Sequence, residues 1–511
     1  MNKKDKFINK IPFLTSMTLD NYLSKQDDLF QARFNKIKDN KNSYPYSFKE
    51  TSTINQIREL YSSSLQNGQK DDKQLSLAGR LMAKRSFGKL MFFDIQQEKD
   101  RIQLYIQRKN YSSDQLNEFD NADIGDIVGV TGTPMKTQRG ELSVEPQTYT
   151  LLAKALRPLP DKHSGLKNPN IRYANRHLDL LVNPEVRNVL ESRIKINSAI
   201  RTYLIENKFL EVETPILQPI YGGANARPFI THHNSLDQDM YLRISNELYL
   251  KRLIIGGMNK VFEFARDFRN EGIDSTHNPE FTQLELYEAF VDYNKMAQRV
   301  QEIFRSANEV VNDSNVINFQ GISIDIEKPF TDMTMVDSIK HYARIDVTKI
   351  TDSSLRKLLE ERKISIKQGQ FSRGRSIVTL FEEYVEPKLI QPHIIRDHPV
   401  ETSPLAKRHR DNPEFTERFE VFIAGREFGN AYSELNDPID QRSRFLQQIQ
   451  EKDSGDDEAH PLDEEYLLAM EAGMPPTGGL GIGIDRLVSL LTNQNSIRDV
   501  IYFPARKISD K

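Results

Sequence analysis

Residues 266–290 read RDFRNEGIDSTHNPEFTQLELYEAF, and their alternation decides what kind of sheet the chain builds. An apolar run closes on Arg269-Asn270-Glu271, turns at Gly272 and re-enters a strand at Phe281. Side chains two apart share a strand face, so Gln283, Glu285 and Tyr287 point into one space. The loop between the strands would present Arg269, Glu271 and His277 beside them. A hairpin with a solvated turn explains any one of these charges. It does not explain several polar side chains on one face of an otherwise apolar sheet, where each needs a partner.

Two further stretches read the same way. GREFGNAYSELNDP (425–438) alternates Glu427, Gly429, Ala431 and Ser433 with Phe428, Asn430, Tyr432 and Glu434. Glu427 and Glu434 fall on opposite faces unless the strand bends, so one side would serve a metal and the other a substrate. Taken alone, an edge strand with surface acids fits equally well. PPTGGLGIGIDRLVSLL (475–491) places glycines, Gly483 among them, where backbone would approach a ligand or another strand closely. Asp485-Arg486 then opens an apolar helix. The glycine spacing is neither a dinucleotide fingerprint nor a P-loop.

Outward from these stretches, residues 18–39 show helical spacing and 62–72 read as a loop. Five short strand-like runs between Leu75 and Leu152 predict a small β-barrel. The Pro-, Gly- and Asn-rich stretch 158–170 reads as a linker, and a long helix begins near Pro184. Beyond it, strand-like runs alternate with helical segments at 292–311, 375–386 and 463–472. The fold class is α+β. The expected domains are an N-terminal helical extension (1–72), a barrel (73–157), a linker (158–178) and a large domain (179–511) with an insertion around 335–390.

The chain has 511 residues, 38% of them hydrophobic and 28% charged, enough for a sizeable core. It contains no cysteine, which excludes disulfides, thiolate metal sites and a cysteine nucleophile. Seventy basic against 73 acidic residues give a net charge of −3, which argues against a globally basic nucleic-acid coat. The four lysines of residues 1–12 precede no signal-like apolar stretch, and no run approaches the roughly 20 apolar residues of a spanning helix. A cytoplasmic protein with no membrane association is expected.

Together the three stretches resemble the signature motifs of class II aminoacyl-tRNA synthetases. Phe209–Pro215 (FLEVETP) is similar to the first motif, the FRNEG…HNPEFT hairpin to the second and Gly481–Arg486 to the third. Within that class the chain resembles the lysyl-tRNA synthetases along nearly its full length. ALRPLPDKHSGL (155–166), GGANARPF (222–229), residues 397–420 and NAYSELNDP (430–438) support the likeness. The resemblance implies an OB-fold anticodon-binding barrel before a catalytic domain built on an antiparallel sheet flanked by helices. It implies ATP-dependent activation of lysine to lysyl-adenylate, then transfer to the 3′ end of tRNA(Lys).

The resemblance also assigns residues. Arg269 would meet the α-phosphate and the lysine carboxylate. Arg486 would hold the γ-phosphate and lie against adenine, with Phe281 on the other face. His277 would lie near the triphosphate, Glu271 and Asn278 at the adenosine end, and Gly483 with the ATP site. Glu427, with Glu434 or Asn430, would coordinate Mg2+, an oxygen-seeking ion. Gly223, Glu247, Arg269, Glu285, Tyr287, Asn430, Tyr432 and Glu434 match the lysine pocket. Glu247 with the Gly223 carbonyl is assigned to the α-amine and Glu434 with Tyr287 to the ε-ammonium, although which acid meets which amine stays open. In the barrel, Phe92 would stack on an anticodon base, while Gln103 and Glu141 read base edges. Phe92 or its neighbour Phe93 must face the core. Nine basic against three acidic residues between Lys73 and Lys109, a local excess of six, suggest a phosphate-binding face.

Ser245-Asn246 departs from the Ala-Pro usual before the pocket glutamate, and Pro146 is expected to interrupt the last barrel strand. The first motif and helix 184–208 imply a homodimer. Rival readings are an aspartate- or asparagine-charging relative, a paralogue attaching lysine to protein, and a non-catalytic scaffold. The acid-rich pocket, the barrel, and the presence of Arg269, Glu427 and Arg486 disfavour them in turn.

Overall fold

The computed structural model describes residues 19–38, 44–160, 166–362, 371–453 and 461–507. The lysines of residues 1–12 lie outside the described residues, as do 161–165 of the expected linker and 363–370 of the expected insertion. The chain divides into two compact units, residues 1–167 and 168–511.

In the first unit the expected helix over 18–39 is two helices, Leu19–Ser24 and Asp28–Asn35. The break has a local cause: the Asp27 carboxylate accepts the Phe30 amide at 2.8 Å and caps a new helix. A helix at Ile54–Tyr61, with a Thr53/Gln56 capping box, was not expected.

The five predicted strands are β1 (Leu75–Phe87), β2 (Leu90–Gln97), β3 (Asp100–Gln107), β4 (Ile127–Lys136) and β5 (Leu142–Ala153). They close as β1-β2-β3-β5-β4. Alternate residues fill the interior, among them Leu77, Met91, Phe93, Ile95, Leu104, Ile106, Val130 and Val144, none of which is solvent-accessible. The helix Ser113–Asn121, also unexpected, adds Phe119 to this core, 6.0 Å from the Phe93 ring and 5.1 Å from Tyr149. Pro146 does not interrupt β5. The register shifts opposite it at Thr131/Gly132, and Gly132 supplies the room: an added Cβ there would meet the Glu145 carbonyl.

The second unit is organised by an eight-stranded sheet. Its strands are β6 (Leu210–Glu211), β7 (Lys260–Phe268), β8 (Glu280–Ala289), β9 (Thr331–Thr334), β10 (His393–Pro399), β11 (Phe415–Ile423), β12 (Arg426–Ser433) and β13 (Thr477–Gly483). The order is β9-β10-β11-β12-β13-β8-β7-β6. The expected antiparallel sheet is found at the centre, but both outer pairs, β9/β10 and β6/β7, run parallel, so the sheet is mixed.

One face is closed by the helices Pro184–Glu206 and Tyr293–Glu309, whose Ile196, Ile200, Val300 and Phe304 pack on Phe262, Leu284, Leu286, Ala431, Leu480 and Ile482. Fully burying each such side chain contributes about 1.5–3 kcal/mol. The residues alternating with them face the opposite side, where the helix Glu247–Ile255 covers Val261, Tyr287 and Ala289 and leaves a cleft open beside it. Residues 169–182, most of which fall within the expected linker, form the helices Pro169–Ala174 and Arg176–Val182. The buried Arg176 fixes them, bonding Asp179 at 2.7 Å and the Tyr502 carbonyl at 2.8 Å. Residues 335–389 carry helices whose Ile339, Leu355, Leu380 and Phe381 form a separate core on Ile395 and Phe422 of the sheet.

Candidate active site

The open face of β8, β12 and β13 floors a cleft of about 430 Å3. Every cleft residue expected from the sequence lines it: Gly223, Glu247, Arg269, Glu271, His277, Asn278, Phe281, Glu285, Tyr287, Glu427, Asn430, Tyr432, Glu434, Gly483 and Arg486. The glycines of β13 make this possible. Gly481 lies between Glu285 and Asn430, and Gly479 between Tyr287 and Tyr432. A Cβ on Gly479 would collide with the Glu434 carboxylate and come within 2.6 Å of Tyr287; one on Gly481 would meet Gln283 and Glu285 at 2.8 Å. These glycines accommodate neighbouring side chains.

Glu427 and Glu434 share the cleft because β12 bends. Val421 pairs with Gly429 but Phe422 with Glu427, so Phe428 is an extra residue, a bulge that sinks into the core. The bulge turns Glu427 onto the face of Asn430, Tyr432 and Glu434.

At one end of the cleft stand cations. Arg486, in the first turn of the helix Ile484–Leu491, donates to the Glu427 carbonyl at 2.7 Å and to its Oε2 at 3.3 Å. A buried Arg193–Asp485 ion pair at 2.5 Å, with Asp485 accepting the Thr282 amide at 2.9 Å, anchors that turn. Arg269 follows β7 and lies 5.1 Å over the Phe281 ring. Phe281 and Arg486 both line the cleft. The Arg269 Nε is buried without a hydrogen-bond partner. His277 is exposed and bonds Asp274 at 2.9 Å; desolvation works to raise that carboxyl, but the Thr276 amide, the His277 ring and the Thr276 hydroxyl together hold it below its usual range. Asn278 is instead buried and fastens its loop, donating to the Glu280 carbonyl and accepting from the Ala505 amide at 3.2 Å.

Between the ends lie residues the sequence reading missed. Arg418 bonds Glu420 at 2.6 Å, Asn430 Oδ1 at 3.2 Å and Ser403 Oγ at 3.0 Å. Asn430 in turn donates to the Tyr432 hydroxyl at 2.9 Å. Glu420 is the carboxylate that bears most on Glu427: desolvation and then Glu420's charge push the Glu427 carboxyl up, against Arg486 and Arg418. Alternation along 416–420 with basic Arg418 was the available signal.

At the other end three carboxylates converge. Glu285 accepts from Gln283 at 2.5 Å and from the Tyr287 hydroxyl at 3.1 Å. Burial, then the charge of Glu247, raises its proton affinity well above the ordinary value. Glu247 opens the helix Glu247–Ile255, its amide donating to Ser245 Oγ at 3.2 Å, so the departure at Ser245 supplies a support. Gly223 has a positive φ of 88°, and an added Cβ would crowd Ser245 and Glu247. Glu434 shares a cation with Glu247. Its Oε2 lies 2.5 Å from Lys251 Nζ, off the hydrogen-bond axis, and Lys251 also donates to Glu247 at 2.5 Å. Lys251 was missed although it stands one helical turn after Glu247.

In the barrel, Phe93 faces the core while Phe92 faces outward, half-buried, 5.6 Å from Tyr105 and 6.1 Å from Phe87. Gln103 shares this face and accepts from Ser143 Oγ at 3.1 Å; Glu141 is exposed on the turn before β5. The basic excess is partly internal. Lys84 donates to the carbonyls of Phe119, Asp120 and Ala122, Arg85 pairs with Asp94, and Arg108 pairs with Asp120.

Comparison with known proteins agrees with this geometry. Residues 168–507 match the family described as tRNA synthetases class II (D, K and N), and residues 75–152 match the OB-fold nucleic acid binding domain. The chain is 49% identical over 465 residues to a lysine–tRNA ligase of Clostridium novyi, covering 90% of each chain. It is 52% identical over 438 residues to that of Thermoanaerobacter pseudethanolicus, covering 86% of this chain and 88% of the relative. A Clostridium botulinum (strain Loch Maree / Type A3) lysine–tRNA ligase is 46% identical over 515 residues, 99% of each chain.

Proposed function

The chain belongs to the class II tRNA synthetases and is a lysine–tRNA ligase; on that premise we propose how its cleft divides the work. The observation that carries the proposal is the cleft's polarity: Arg269 and Arg486 at one end, Glu247, Glu285 and Glu434 at the other. An amino acid with two ammonium groups needs carboxylates, and a triphosphate needs fixed cations.

Lysine enters with its ammonium groups on Glu247 and Glu434, supported by Glu285, Tyr287, Asn430, Tyr432 and the Gly223 backbone. Its carboxylate oxygen attacks the α-phosphorus of ATP, a phosphorus–oxygen bond forms, and pyrophosphate leaves. Arg269, whose Nε lacks a partner, neutralises the α-phosphate and the attacking carboxylate. Arg486 holds the terminal phosphate, while Phe281, Glu271, His277, Asn278 and Gly483 frame the nucleotide. A terminal hydroxyl of tRNA(Lys) then attacks the lysyl carbonyl and AMP leaves.

The donor set fits Mg2+, which supplies neutralisation of phosphate charge when bound. Glu427 with Glu420 would hold it, since their mutual repulsion is what a divalent cation relieves. Glu434, engaged by Lys251, belongs with lysine.

The barrel binds the anticodon through Phe92, Gln103 and Glu141. A homodimer is supported by the exposed apolar side chains Ile194, Ile205, Leu210, Ile216 and Leu217 around the first motif. A cytoplasmic location goes with this reading. Among the described residues no helix is long and apolar enough to cross a membrane.

The test is exchange of labelled pyrophosphate into ATP across the twenty amino acids without tRNA. Lysine alone should give strong exchange. Exchange with aspartate or asparagine but not lysine would overturn the assignment of the pocket.

A further inference from the structure

Lys251 stands behind the cleft. Its side chain is inaccessible to solvent, and its ammonium lies 2.5 Å from Glu247 Oε1 and 2.5 Å from Glu434 Oε2. Both acids line the cleft and Lys251 does not. The Tyr287 ring lies 6.0 Å from the ammonium, and Tyr466, on the helix Glu464–Glu471, is a further neighbour. Glu247 in the helix's first turn and Lys251 four residues on is the favourable order of acid and base on a helix. Glu434 Oε1 is buried and has no hydrogen-bond partner. With its other oxygen on Lys251, this acceptor is the one left for a ligand.

Charge gives the arrangement its meaning. Burial and the neighbouring acids favour the protonated form of Glu285, so the pocket's charge lies on Glu247 and Glu434, the two carboxylates that Lys251 engages. These two carboxylates match in number the two ammonium groups of lysine. We infer that Lys251 is a positioning residue that sets amino-acid specificity: from behind, it fixes the Glu247 and Glu434 carboxylates so that they meet the two ammonium groups of the substrate. The inference rests on the reading of this cleft as the lysine pocket.

The experiment measures lysine-dependent and ATP-dependent pyrophosphate exchange by the full-length protein and its Lys251→Met and Lys251→Arg variants, with folding followed by circular dichroism. Lys251→Met should raise the lysine KM at least thirtyfold, with ATP KM within twofold and kcat within fivefold. Lys251→Arg, which keeps the cation, should recover most of that loss. An unchanged lysine KM, or lysine and ATP KM rising together without rescue by arginine, would overturn the inference. If Lys251→Met does not fold, the double variant Lys251→Met/Glu434→Gln decides, since it removes the cation with one of its anions. Its lysine KM should stay within threefold of Glu434→Gln alone, and a further tenfold loss would refute the coupling. Absence of lysine-dependent exchange in the unaltered protein would instead discard the pocket reading itself.

Discussion

Glu434 concentrates the electrostatics of the acidic end of the cleft in one side chain. Burial pushes its carboxyl up to about 8, opposed by Lys251 and reinforced by Glu247. Below that value the free pocket holds the proton, whereas a bound ammonium favours the anion. Lysine affinity should therefore strengthen as pH rises from about 6.5 to about 8.5, with proton release on binding near pH 7. Titration calorimetry in buffers of different ionisation enthalpy reads that proton, and a flat profile would contradict it. Glu434→Gln should remove the dependence and raise the lysine KM roughly a hundredfold or more, from the ~3–5 kcal/mol of losing one partner in a buried charge pair. Near-normal lysine affinity would show that Glu434 is not the partner. Most of the cleft's acids and arginines were legible because they sit inside dense motifs. Lys251, Arg418 and Glu420 were not, because a helix interior or an alternating strand hides a polar residue until its neighbours across the fold are placed.

At the scale of elements, β13 and the bulge in β12 make the site. A period of two told which residues of β8 share a face, and Leu284 and Leu286 do enter the core opposite Gln283, Glu285 and Tyr287. The same rule sets Glu427 opposite Glu434 only in an unbent strand, and one extra residue at Phe428 supplies the bend that inverts the alternation beyond it. Gly479→Ala tests the role of the glycines. Its Cβ would enter the space of Glu434 and Tyr287, so the lysine KM should rise about tenfold or more while ATP KM changes little. Equal ATP and lysine effects would mean that the strand as a whole has moved. Phe93→Ala tests the barrel. Removing a fully buried ring costs about 3–5 kcal/mol, visible as a lowered barrel transition in thermal unfolding.

At the scale of the molecule, anticodon binding and lysine activation belong to different units, residues 1–167 and 168–511. Phe92→Ala should weaken tRNA(Lys) charging through a raised tRNA KM, by roughly 5- to 150-fold from the ~1–3 kcal/mol of a lost stack. It should leave pyrophosphate exchange almost intact, and equal loss in both assays would make Phe92 structural. The sequence by itself determined the two-part α+β plan, the barrel strands, the three motifs and the acids and arginines within them. These follow from local alternation, turn residues and short spacings. Tertiary structure alone decided that the sheet is mixed at its edges, that Glu427 joins Glu434 in one cleft, and that Lys251 backs the cleft's acidic end. The reason is physical: strand pairing, a bulge and a buried ion pair each depend on residues far apart in sequence, whose contacts no local pattern records.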